Sequence, residues 1–90
     1  MSVYIPWTIE AQLSDHVTGR TYVGPLRDCV WIYLELSEAA RRDALILADA
    51  DVPIEGRRTT KVLEAPEIEW LIDRLGNDVY RPTARKGHWR

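Results

Sequence analysis

Ninety residues make one domain and not two, and a content of 46 % hydrophobic and 29 % charged residues excludes a disordered chain. The net charge of −2 selects no class of partner, and a single cysteine, Cys29, excludes a disulfide within the chain. The longest apolar run, at 29–34, is far short of the roughly 20 residues that a membrane helix needs, so no membrane partner is expected.

The N-terminus lacks the basic leader of a secretory signal, and a cytoplasmic protein is expected. Four Trp and four Tyr stand against no Phe. Indoles and phenols carry a polar group at one end, which suits half-wet surfaces better than dry cores.

The first element is an alternation over residues 3–13. Val3, Ile5, Trp7, Ile9, Ala11 and Leu13 fall on one face, the period of a half-buried strand. Pro6 cannot donate to a ladder, so this strand lies at an edge or begins properly after it. Residues 15–20 supply a turn in which Gly19 is able to take a positive φ, and a short strand at 21–23 completes a hairpin ended by Gly24 and Pro25.

Residues 28–36 read as the central strand. Val30, Ile32, Leu34 and Leu36 form one face, and Cys29, Trp31, Tyr33 and Glu35 the other. Ser37 then caps a helix that stacks Leu36, Ala40, Ala44 and Leu47, with Glu38 paired to Arg42 on the opposite side. Asp43 falls at the edge of that stripe and needs a partner there. Asp49, Asp51 and Pro53 stop the helix near Ala50.

Residues 58–64 predict another strand. Pro66 opens a second helix that Gly76 closes, with Ile68, Leu71, Ile72 and Leu75 spaced i, i+3, i+4, i+7. No internal repeat is visible. The assembled expectation is an α+β fold, order β-β-β-α-β-α, with a three- to four-stranded mainly antiparallel sheet and two helices. Residues 1–78 form one compact domain. Residues 79–90 form a tail with four cations and no acid, which leaves about −6 on the rest of the chain.

Two groups of residues suggest contact surfaces. Trp70 lies opposite the apolar stripe of its helix among Glu67, Asp73, Arg74 and Asn77, the pattern of an aromatic anchor with a polar rim. The alternative is that the tail folds back over it with Tyr80 or Trp89. Trp31 and Tyr33 fall on a sheet face that two helices on the other side would leave bare, and a homodimer is the commonest cover for such a face. One helix on each face is the alternative.

Arg57, Arg58 and Lys61, with Arg81, Arg85 and Lys86 of the tail, form the second expectation, a nucleic-acid-binding accessory protein. The acidic body and the lack of any recognised nucleic-acid motif weigh against it.

No metal or cofactor is expected. Asp49, Asp51 and Glu55 lack the Gly and further oxygen ligands of a calcium loop. Cys29 inside an element reads as an inert thiol, and His16 and His88 have no third group to orient them. A small enzyme is therefore the last of three readings. A non-catalytic protein-interaction domain, a homodimer or a partner of another protein, comes first.

Overall fold

The computed structural model describes residues 5–54, 58–78 and 87–90. It contains the predicted hairpin. β1 (Glu10–Asp15) and β2 (Arg20–Pro25) pair antiparallel, from Glu10 opposite Pro25 to Asp15 opposite Arg20. Asp15 closes the turn. Its Oδ1 accepts from the Val17 N–H and its Oδ2 from the Thr18 hydroxyl, both at 2.9 Å, and Gly19 takes a φ of 74°.

The first strand begins at Glu10, later than the alternation over 3–13 suggests. The residues just before it serve the next helix instead. The Trp7 and Ile9 carbonyls accept from the Arg27 and Leu26 N–H groups at 3.0 and 2.8 Å. These are among the first free donors of a helix whose N-cap residue, Pro25, makes no side-chain cap.

That helix, α1 (Leu26–Glu35), stands where the central strand was expected. It buries Leu26, Cys29, Val30 and Tyr33, which are spaced i, i+3, i+4, i+7 along one helical face, and Ile32 beside them. A second, one-turn-and-a-half helix, α2 (Glu38–Asp43), starts at the predicted cap, where Ser37 Oγ accepts from the Ala40 N–H at 3.2 Å. It does not reach Ala50. Ala44 is extended, with φ −70° and ψ 145°, and the chain passes into β3 (Leu45–Ile54).

The physical reason is a period of two that competes with the helical stripe. Every even position from 44 to 54 is apolar, and Ile46, Ala48, Val52 and Ile54 are buried. Asp49 and Asp51, expected as helix-end residues, are exposed positions within β3, and Asp43 is exposed at the end of α2. Pro53 is tolerated because β3 beyond Ala48 pairs with β4 alone.

β4 (Arg58–Leu63) and α3 (Ala65–Asp78) follow close to expectation. Ile68, Leu71 and Leu75 of α3 are fully buried and Ile72 partly so, and Gly76 lies inside the helix rather than past its end. The last residues also join the sheet. β5 (His88–Trp89) pairs with β2, setting Trp89 opposite Tyr22 and His88 opposite Val23.

The described fold is therefore α+β with the order β-β-α-α-β-β-α-β, and its antiparallel sheet has five strands in the order β4-β3-β1-β2-β5. Each long hairpin is followed by a helix that packs back on it: α1 on β1 and β2, α3 on β3 and β4. β1 and β3 meet antiparallel at the centre. The topology thus repeats a hairpin-plus-helix unit that the sequence does not repeat. α1 and α2 each touch α3, so all three helices lie on one side of the sheet. The core fills that space with Leu13, Tyr22, Ile46 and Leu63 from the strands and Val30, Ile68 and Leu71 from the helices. The Cα radius of gyration is 12.1 Å, matching the roughly 12 Å of a compact chain of this length.

Candidate functional site

The sheet has a second face, on which no described helix packs. Side chains alternate along a strand, so the register assigns residues to it directly. Val62, Leu47, Gln12, Val23 and His88 lie side by side across all five strands, with Ser14, Thr21 and Leu45 in the next row. Leu47 is 44 % exposed and Val62 is 47 % exposed, and the two are directly opposite each other on β3 and β4. From Val62 to Val23 this stretch carries no formal charge.

Beside this patch the β4 edge is blunted. The Thr60 hydroxyl accepts from the Val62 N–H at 3.1 Å and donates to the Val62 carbonyl at 3.0 Å, so both peptide groups of Val62 are engaged by its own strand. An incoming strand would have to displace them. Next to it the ladder is irregular, with residues 48–51 of β3 set against the single residue Lys61.

The helical side has a different character. Tyr33, Glu38, Arg41, Arg42, Ala65 and Glu69 line a cavity of about 300 Å³ where α1, α2 and α3 meet. Tyr33 is 2 % exposed. Burial and the Glu69 carboxylate raise its phenol above the usual value, an effect that Arg41 partly offsets, so the hydroxyl stays protonated at neutral pH. Glu38 and Arg42 form the predicted pair at 3.9 Å, both well exposed.

The aromatic residues singled out from the sequence lie elsewhere than expected. Tyr33 belongs to the core of α1, not to a bare sheet face, because residues 26–35 are helical. Trp31 is half-buried and packed on the core. Trp70 is half-buried as well. The Arg74 guanidinium stacks on its ring at 3.6 Å from the centroid, and Arg74 Nη1 donates to the Trp70 carbonyl at 3.1 Å. Trp89 does not cover it: that indole meets Tyr22 edge-on at 5.5 Å and lies under Arg20 at 4.5 Å.

Of the basic residues, Lys61 is exposed on β4 and Arg58 begins that strand, whereas Arg57, Arg81, Arg85 and Lys86 lie outside the described residues. Tyr80 and Glu55 lie outside them too. Among the described residues no cluster of His, Cys, Asp and Glu is arranged to hold a metal, and no helix is long and apolar enough to cross a membrane.

Cys29 is buried, and burial with Asp28 and Glu10 nearby pushes its thiol up to about 12, the environment of an unreactive cysteine. Tyr22 forms a buried junction. Its hydroxyl donates to Asp28 Oδ2 at 3.3 Å and accepts from the Gly87 N–H at 3.0 Å, and burial beside Asp28 pushes the phenol up to about 12. This junction ties β2, α1 and the C-terminal strand together.

No family model, curated protein or solved structure matches the chain.

The paired Leu47 and Val62 were not identified from the sequence. Leu47 fits a helical stripe as well as a strand, and the helical reading sends it inward. The signal that separates the two is the run of apolar even positions from 44 to 54, which places Leu47 on the opposite face.

Proposed function

We propose that this chain is a small, non-catalytic interaction domain that meets a second copy of itself through the sheet face that no described helix covers. The observation that carries the reading is the cross-strand pair Leu47 and Val62, two of the three large apolar side chains exposed among the described residues. Two apolar residues in register make a patch, where scattered ones are ordinary surface.

A second copy suits this face because the row from Val62 to Val23 carries no formal charge, while Glu10 flanks it on the same face. Face-to-face packing is favoured over strand addition by the Thr60 hydroxyl on Val62 and by the shortness of β5, two residues long.

Magnitude sets the strength. Five strands at about 4.8 Å spacing and six residues of length give a face of roughly 20 by 20 Å. Two such faces bury on the order of 800 Å², below the standard size of a tight complex, so the dimer is weak and transient.

The test is an isotope-filtered NMR experiment on a mixture of labelled and unlabelled protein. Intermolecular contacts from the Leu47 and Val62 methyl groups are expected. Contacts confined to the helices, or none at about 1 mM, would reject the reading.

A further inference from the structure

The row of side chains that crosses the uncovered sheet face ends in a titratable group. Val62, Leu47, Gln12 and Val23 are followed on β5 by His88. Its neighbour Trp89 turns to the helical side, onto Tyr22, so the alternation of the strand sends His88 to the other face, where it is exposed.

Symmetry brings His88 into any contact that uses this row. Two sheets pack face to face with their strands nearly aligned or at right angles. A right-angled crossing about Gln12 sets Leu47 of one copy over Glu10 or Ser14 of the other, apolar on polar. Aligned packing keeps the row against itself, and a two-fold axis leaves two ways to do so. An axis along the row lays each residue over its own counterpart, His88 on His88. An axis parallel to the strands through Gln12 reverses the row and lays His88 on Val62.

A neutral imidazole suits either place, because much of its ring is apolar. An imidazolium suits neither: it meets a second imidazolium in one arrangement and an aliphatic side chain in the other. The charged groups of this face give it no relief. Arg90, two residues on along β5, is a cation on the same side, and Lys86 lies outside the described residues. The exposed acids of β1 and β3 are Glu10, Asp49 and Asp51. By the strand spacing each stays roughly 8 Å or more to the side of His88 in both aligned arrangements, beyond ion-pair reach.

We infer, on the basis of the association proposed at Leu47 and Val62, that protonation of His88 drives the two copies apart. The dimer holds the neutral imidazole and the free chain takes up the proton, so acidification favours the monomer. The net charge works in the opposite direction. Protonating His16 and His88 brings the chain from −2 to neutrality, which by itself favours association. The two effects therefore differ in sign.

Sedimentation equilibrium of the intact chain at about pH 7.5 and about pH 5.5, at equal ionic strength, tests the inference, since a histidine ordinarily changes charge between these values. The parent dimer should weaken at least about tenfold at the lower pH, because each copy must shed a proton to associate. His88→Gln should dimerise within about threefold of the parent's neutral-pH affinity at both values. His16→Gln, altered in the hairpin turn, should come apart on acidification as the parent does. A parent dimer as tight at the lower pH as at the higher, or a His88→Gln variant that dissociates like the parent, would overturn the role of His88 and leave the association itself standing. A parent chain monomeric at both values up to about 1 mM would overturn the two together.

Discussion

Tyr22 shows how much of this small fold rests on single side chains. Its ring is 2 % exposed, and its hydroxyl serves both Asp28 and the Gly87 N–H. Tyr22 and Cys29 each titrate near 12 when folded, raised in both cases first by burial. A raised pKa means that the folded state holds its proton more tightly than the unfolded chain. The stability linked to these groups is therefore complete below the unfolded values, about 8.5 for a thiol and about 10 for a phenol. It drains as the pH climbs toward 12. The denaturant midpoint should be flat from neutral pH to about 8 and fall steadily above about 9. Cys29→Ala should start from a lower midpoint and decline less over the first part of that range. A midpoint that rose between pH 9 and 11 would contradict the assignment.

Trp70 raises a different question at the same scale. It packs on the core with Arg74 stacked over its outer side. Trp70→Ala is expected to destabilise the fold by about 2 kcal/mol, less than the 3–5 of a fully buried Trp. It should leave self-association intact. Chemical denaturation and sedimentation measure the two effects separately, and the opposite split would return Trp70 to the role of a contact anchor.

At the scale of elements, the sequence was legible where a single period ruled. The hairpin turn at 15–20, β4 and α3 each have one pattern and clear punctuation. The two misread stretches carry two patterns at once. Residues 29–34 are apolar at every position, so a strand covered on both sides and a buried helix explain them equally well. What decides for the helix is tertiary: the Trp7 and Ile9 carbonyls supply the cap that Pro25 lacks. Residues 44–54 fit a helical stripe through Ala44 and Leu47 and a strand through the even positions. Pairing with both β1 and β4 rewards only the strand. Tyr33 was picked out for a sheet face that does not exist, although it does line a cavity. The C-terminal strand had no signal beyond aromatic and small residues.

β5 nevertheless has a specific seat. A Cβ added at Gly87 would collide with the Val23 carbonyl, and it would lie 2.7 Å from both the Gly24 Cα and the Tyr22 ring. Those neighbours are mostly backbone and cannot yield. Gly87→Ala should therefore unseat His88 and Trp89 from β2, exposing the Thr21 carbonyl that now accepts from the Arg90 N–H at 2.7 Å. Amide hydrogen exchange at residues 88–90 should accelerate by at least about tenfold, while β1 and β3 remain protected. Unchanged protection there would show that β5 is held by other means.

For the whole molecule, one layer of helices on one face of a five-stranded sheet leaves the other face to be explained. Most of the bare face is polar or already buried, and the exposed apolar surface concentrates at Leu47 and Val62. Association between copies there removes that surface from water without disturbing the helical side.

Sedimentation equilibrium from about 10 µM to 1 mM tests the central claim most directly. The parent chain should pass from monomer to dimer across that range, and Val62→Lys should stay monomeric while unfolding at nearly the same denaturant concentration. A parent chain that sediments as a monomer throughout, or a Val62→Lys variant that dimerises as well as the parent, would contradict it.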